Sequence, residues 1–148
     1  MAVAVAVAVA LGLVACDRTP AATSCADSLI GVWSTADGVA RWHIRDAGKD
    51  KLEAFPVVRE LPPAPDGTIA APSMIDLRRS GQEVAGTVVR RWHRGAQVCL
   101  VRNQAHVRGC RGDRMTLTLG DTGAPTDWTA CRPPDGVPTT QLLRRTWP

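Results

Sequence analysis

The clearest periodic stretch is 115–119, where Met115, Leu117 and Leu119 alternate with Thr116 and Thr118. That period of two belongs to a strand with one face in a core and one in water. Residues 74–79 repeat it, Ile75 and Leu77 opposing Asp76 and Arg78. Further strands are expected at 29–34, 39–45, 52–58, 84–93, 97–102 and 105–110, with shorter pieces at 127–131 and 140–145. Turn chemistry separates them at Ala36-Asp37-Gly38, Ala47-Gly48-Lys49-Asp50, Gly95-Ala96, Asn103-Gln104 and Gly112-Asp113. Residues 59–73 hold Pro62, Pro63, Pro65, Pro72 and Asp66-Gly67, which excludes a helix interior or a central strand and predicts a long surface loop. Apolar residues nowhere recur at helical spacing over eleven positions. The expectation is an all-β domain, an antiparallel meander of eight or nine short strands closed into a small barrel, or alternatively a β-sandwich. Arg-Trp-His occurs twice, at 41–43 and 91–93, but the flanking residues do not match and no repeat is inferred.

Residues 2–14 break this pattern with thirteen consecutive Ala, Val, Leu and Gly residues. As a helix this run spans roughly 20 Å, short of a bilayer core of about 30 Å. Its length suits the apolar region of a secretory signal peptide. The run ends in Leu13-Val14-Ala15-Cys16, which resembles the lipobox of bacterial lipoproteins, although no Lys or Arg precedes the apolar stretch. The resemblance implies a signal peptide at 1–15, then a lipidated tether at 16–27 and a single β domain at 28–148. Cys16 would carry a diacylglycerol thioether and an amide-linked acyl chain, anchoring the protein to a membrane of the cell envelope on its periplasmic side. Asp17 resembles the inner-membrane retention signal of enteric bacteria, a rule that differs elsewhere, so the choice of inner or outer membrane stays open.

With Cys16 assigned to lipid, four of the five cysteines remain, an even number that reads as two disulfides in an oxidising compartment. Three connectivities exist. A hairpin turning at Asn103-Gln104 would set Cys99 against Cys110 and leave Cys25 to Cys131. No Cys-x-x-Cys or finger-spaced Cys/His pair is present, which argues against a metal.

Gly31-Val32-Trp33 in the first expected strand resembles the Gly-x-Trp of lipocalins and related calycin barrels. There the Trp plugs one end of the barrel and often packs beneath a C-terminal Arg. The resemblance implies barrel-end packing of Trp33 with Arg144, or with its neighbour Arg145. Thr126-Asp127-Trp128 echoes a second lipocalin motif, Thr-Asp-Tyr, but lies late in the chain and ends in a different aromatic.

Composition sharpens the picture only in places. The 148 residues are 45% hydrophobic and 22% charged, enough for one soluble globular domain, and the absence of Tyr leaves the five Trp as the main aromatic mass. Charge is uneven: 78–114 carries nine Arg against Glu83 and Asp113, a net +7, whereas 17–77 carries six basic against nine acidic residues, a net −3. Arg90, Arg91, Trp92, His93 and Arg94 therefore form the candidate surface for an anionic or protein partner, and for an exported protein nucleic acid is not the expected anion. There is no Gly-x-Ser-x-Gly, no phosphate loop and only three His and three Glu, so no catalytic set is expected. Arg111-Gly112-Asp113 is explained by a turn. The expected function is non-catalytic binding of a macromolecular partner by a monomeric envelope lipoprotein, such as a periplasmic inhibitor or immunity protein. The alternative is a carrier holding a small apolar ligand in its barrel. No cofactor is expected beyond the lipid on Cys16.

Overall fold

The computed structural model describes residues 29–57 and 62–147. These form nine strands: β1 (Gly31–Thr35), β2 (Arg41–Gly48), β3 (Lys51–Pro56), β4 (Ile69–Ala70), β5 (Met74–Ser80), β6 (Glu83–Arg94), β7 (Gln97–Arg111), β8 (Arg114–Leu119) and β9 (Thr139–Trp147). Every pairing is antiparallel. The strands neighbour one another in the order β1-β2-β3-β5-β6-β7-β8-β9, and β9 pairs back onto β1, so eight strands close into a barrel. Closure removes the open edges that would otherwise template aggregation. The two-residue β4 continues the line of β5 along β6, with Ile69 opposite His93, so the Pro-rich segment is not wholly irregular.

The alternation read from the sequence sets the two faces. Trp33, Ile44, Leu52, Ile75, Leu77, Val84, Val88, Val101, Met115, Leu117 and Leu143 point inward and are each 1% exposed or less, which fills the barrel axis with side chains. Arg41, Arg45, Asp76, Arg78, Arg102 and Arg108 point outward and are exposed. Apolar inside and charged outside is the reverse of a membrane-spanning barrel. At Gly86 a Cβ would overlap the Asp76 carbonyl oxygen, so the bare backbone lets β5 and β6 coil tightly.

One end of the barrel is sealed. The short turns 49–50, 81–82 and 112–113 lie there, together with the start of β1. Trp33 is fully buried, donates its indole N–H to the Leu29 carbonyl at 2.8 Å, and faces the Arg145 guanidinium at 4.9 Å from the ring centroid. The partner of Trp33 is thus Arg145 and not Arg144. Leu143 faces the core, so Arg145 shares its phase and turns inward, while Arg144 points out and is exposed.

The two strands expected at 97–102 and 105–110 are a single fifteen-residue strand, and Asn103-Gln104 is not a turn. Cys99 and Cys110 lie along one strand and cannot face each other. Cys99 instead bonds Cys131, with Cα atoms 5.2 Å apart, so the pairings Cys99–Cys110 and Cys25–Cys131 are both overturned. Around 127–131 there is no strand, only an isolated bridge between Asp127 and Arg132. The expected signal peptide, Cys16, the tether and Cys25 lie outside the described residues.

Candidate functional site

The opposite end carries the turns 36–40 and 95–96, the described residues 62–73 and the long span 120–138 between β8 and β9. Here the inward phase of β6 runs on past Val88 to Arg90 and Trp92. β9 contributes Gln141 in phase with Leu143, and β2 contributes Trp42 in phase with Ile44. Alternation alone therefore delivers polar side chains to the barrel mouth.

Four hydrogen bonds fix these side chains. The Arg90 Nε–H donates to the Ser73 hydroxyl oxygen at 2.7 Å, and Ser73 is buried. Trp42 donates its indole N–H to Gln141 Oε1 at 2.9 Å. Trp92 donates to the Thr122 carbonyl at 2.9 Å, and Asn103 Nδ2 donates to the Asp121 carbonyl at 3.0 Å. These last two bonds stitch the 120–123 segment across the rim. Trp42, Ser73, Arg90, Leu119, Asp121 and Gln141 line an open cavity of about 210 Å³. A second lobe of about 130 Å³, between Val39, Pro56 and Pro72, shares Trp42, Ser73 and Arg90 with it. Burial pushes the Arg90 guanidinium below its ordinary range, and the charge of Asp121 opposes that effect.

Arg90, Arg91, Trp92, His93 and Arg94 do not form one surface. Consecutive strand residues point to opposite faces, so Arg90 and Trp92 enter the mouth while Arg91 and His93 face outward. Arg94, at the end of β6, stacks over Trp128 at 4.3 Å and donates to Gln97 Oε1 at 3.1 Å.

On the outside, Arg91 joins a different feature. A groove of about 400 Å³ runs across β3, β5, β6 and β7, lined by Phe55, Pro56, Ala71, Pro72, Met74, Val89, Arg91 and Leu100. Met74 opposes Val89 across the sheet, and Arg91 opposes Leu100, so the apolar side chains lie in adjoining rows. Ile69 and Val98 flank His93 in the next row. Met74 is 45% exposed, Ile69 46% and Val98 54%, unusual clustering on a face that elsewhere carries charge. A larger outer cleft of about 580 Å³ is lined by charges of both signs, among them Lys51, Glu53, Asp76, Arg78 and Arg102.

Ser73 has a guanidinium as its hydrogen-bond partner, which cannot accept its proton, and neither His43, His93 nor His106 lines the cavity. Among the described residues no group of three or more His, Cys, Asp or Glu could hold a metal ion. Ser73, Gln141, Asp121 and Trp42 were not marked by the sequence as site residues. The signal that could have found Gln141 is its place two residues before the buried Leu143. Comparison with protein-family models, with curated proteins and with solved structures returns no match to this chain.

Proposed function

We propose that this protein is a lipid-anchored envelope protein that binds a macromolecular partner without chemistry, in the manner of an inhibitor or immunity protein, through the outer groove of β3, β5, β6 and β7. The observation that carries the reading is the apolar groove of exposed Met74 and Leu100 with half-buried Phe55 and Val89, on a charged barrel and with Arg91 set into it. An apolar centre with an Arg beside it is the composition of an interface core. The Leu13-Val14-Ala15-Cys16 motif supports the anchor and the envelope location. The carrier reading has less behind it, because the barrel axis is occupied by Trp33, Met115 and Leu117 and the cavity at the mouth is small.

The groove is tested by placing a photo-crosslinking amino acid at Leu100, in the groove, and at Leu142, exposed on β9. In envelope membranes the Leu100 probe is expected to give one discrete adduct that the Leu142 probe does not, and Met74→Asp should reduce it by roughly ten-fold or more, since a charge in an apolar interface core costs at least about 1.4 kcal/mol. Equal labelling from both positions removes the groove from consideration.

The anchor makes a separate prediction. With two or three acyl chains at about 0.8 kcal/mol per buried CH₂, the full-length protein should partition into the detergent phase, and Cys16→Ser should move it to the aqueous phase. A wild-type chain with an intact Met1 and no lipid mass on Cys16 would exclude this arrangement.

A further inference from the structure

We infer that the barrel mouth is a binding site for a small monocarboxylate, held by Arg90 with Ser73 and Gln141. The charge at the mouth is only partly compensated. Arg90 is half-buried, donates its Nε–H to Ser73, lies over the Trp92 ring at 5.8 Å from the centroid, and feels the charge of Asp121 without a direct salt bridge among the described residues. A guanidinium partly withdrawn from water with no carboxylate in direct contact is unfavourable, and its two terminal nitrogens form the planar fork that fits a carboxylate.

The groups around it are set to donate. Ser73 Oγ accepts from Arg90, which leaves its own O–H to donate elsewhere. The Trp42 indole can only donate, so it fixes the Gln141 oxygen toward itself and leaves the Gln141 NH₂ unused by that bond. Guanidinium, hydroxyl and amide donors line one cavity of about 210 Å³, below the roughly 300–1,000 Å³ of sites for larger organic ligands. Asp121 lines it too, which sets the charge limit. One positive and one negative group tolerate a monoanion and repel a dianion. The Trp42 ring and Leu119 supply an apolar wall for a short hydrocarbon tail.

The test is a titration of the full-length protein in detergent with sodium propionate, following the indole N–H resonance of Trp42, with sodium sulfate and sodium chloride as comparison salts. Propionate should shift the resonance saturably in roughly the millimolar range, as suits a ligand of so few atoms, and sulfate and chloride should not. Arg90→Gln should abolish the shift. Gln141→Glu is the decisive variant. It keeps the acceptor for Trp42 but places a carboxylate in the cavity beside Arg90, so it should weaken propionate at least ten-fold while raising the melting temperature. A flat titration, a response to sulfate or chloride equal to that for propionate, or an Arg90→Gln protein that still responds overturns the inference.

Discussion

Trp33→Ala is expected to lower the free energy of unfolding by about 3–5 kcal/mol, read as a fall in the urea midpoint with little change in slope. Small domains have only about 5–15 kcal/mol in total, so the variant should sit near the edge of folding at physiological temperature. The side chain is the largest of those that are fully buried. Removing it leaves a cavity that a closed ring of strands cannot collapse to fill, because each strand is pinned by hydrogen bonds on both edges. Two further contacts go with it. The Leu29 carbonyl loses its indole donor, and Arg145 loses the ring it faces. The Nε and Nη2 of Arg145 are already buried without an acceptor among the described residues, so the ring is a main source of its stabilisation. Trp33→Phe separates the effects. It keeps an aromatic face for Arg145 and gives up the indole bond and part of the volume, and about 1–3 kcal/mol is expected. A loss under about 1 kcal/mol for Trp33→Ala would mean that this end is not sealed by Trp33 at all.

The fold was legible because its dominant signal is local. A strand with one wet face writes its phase directly, as at 115–119 and 74–79, and short polar turns at 81–82, 95–96 and 112–113 make consecutive strands antiparallel neighbours. The misreading of β7 has a physical cause that the same phase argument corrects. Asn103-Gln104 is turn-like in composition, yet Cys99, Val101, Ala105 and Val107 are all buried at odd positions on both sides of it. A two-residue hairpin turn there would set 101 against 106 and 102 against 105, placing His106 and Arg108 in the core. Only a continuous strand keeps the four apolar residues on one face. Asn103 stays in phase, faces inward at the mouth, and binds the Asp121 carbonyl.

The mouth was harder to read for a related reason. Polar residues such as Ser73, Gln141 and Asn103 look like surface in a sequence, and nothing in their type reveals that they occupy the inward phase at the ends of strands. The Arg90 to Arg94 run shows the converse. As a composition it is one basic cluster, whereas on a strand it is two faces and a stacked end. The groove depends on long-range pairing, since Phe55, Met74, Val89 and Leu100 come from four strands, and no window of sequence contains them together.

Breaking the Cys99–Cys131 bond is expected to cost roughly 3.5–4 kcal/mol on the loop-entropy relation for its separation of 32 residues. The bond fastens the 120–138 connection over the mouth. Cys99 is fully buried on β7, and Cys131 sits at positive φ in a turn whose geometry is held by the Asp127 carboxylate accepting from the Thr129 and Ala130 N–H groups. Those two bonds, with Arg132 nearby, hold the Asp127 carboxyl below the usual carboxylate range. The double variant Cys99→Ala/Cys131→Ala avoids leaving a thiol behind and should lower the urea midpoint without abolishing folding, because the barrel ladder does not depend on the bridge. With these two sulfurs joined, the proposed lipid on Cys16 would leave Cys25 and Cys110 as the remaining pair, and Cys110 packs against the core cluster beside the bulge in β7. Tryptic digestion without reduction is therefore expected to release the Cys99 peptide joined to the Cys131 peptide, and the Cys25 peptide joined to the Cys110 peptide. Recovery of Cys99 joined to Cys110 would require β7 to fold back near Asn103, and the single long strand on which the barrel closes would be wrong.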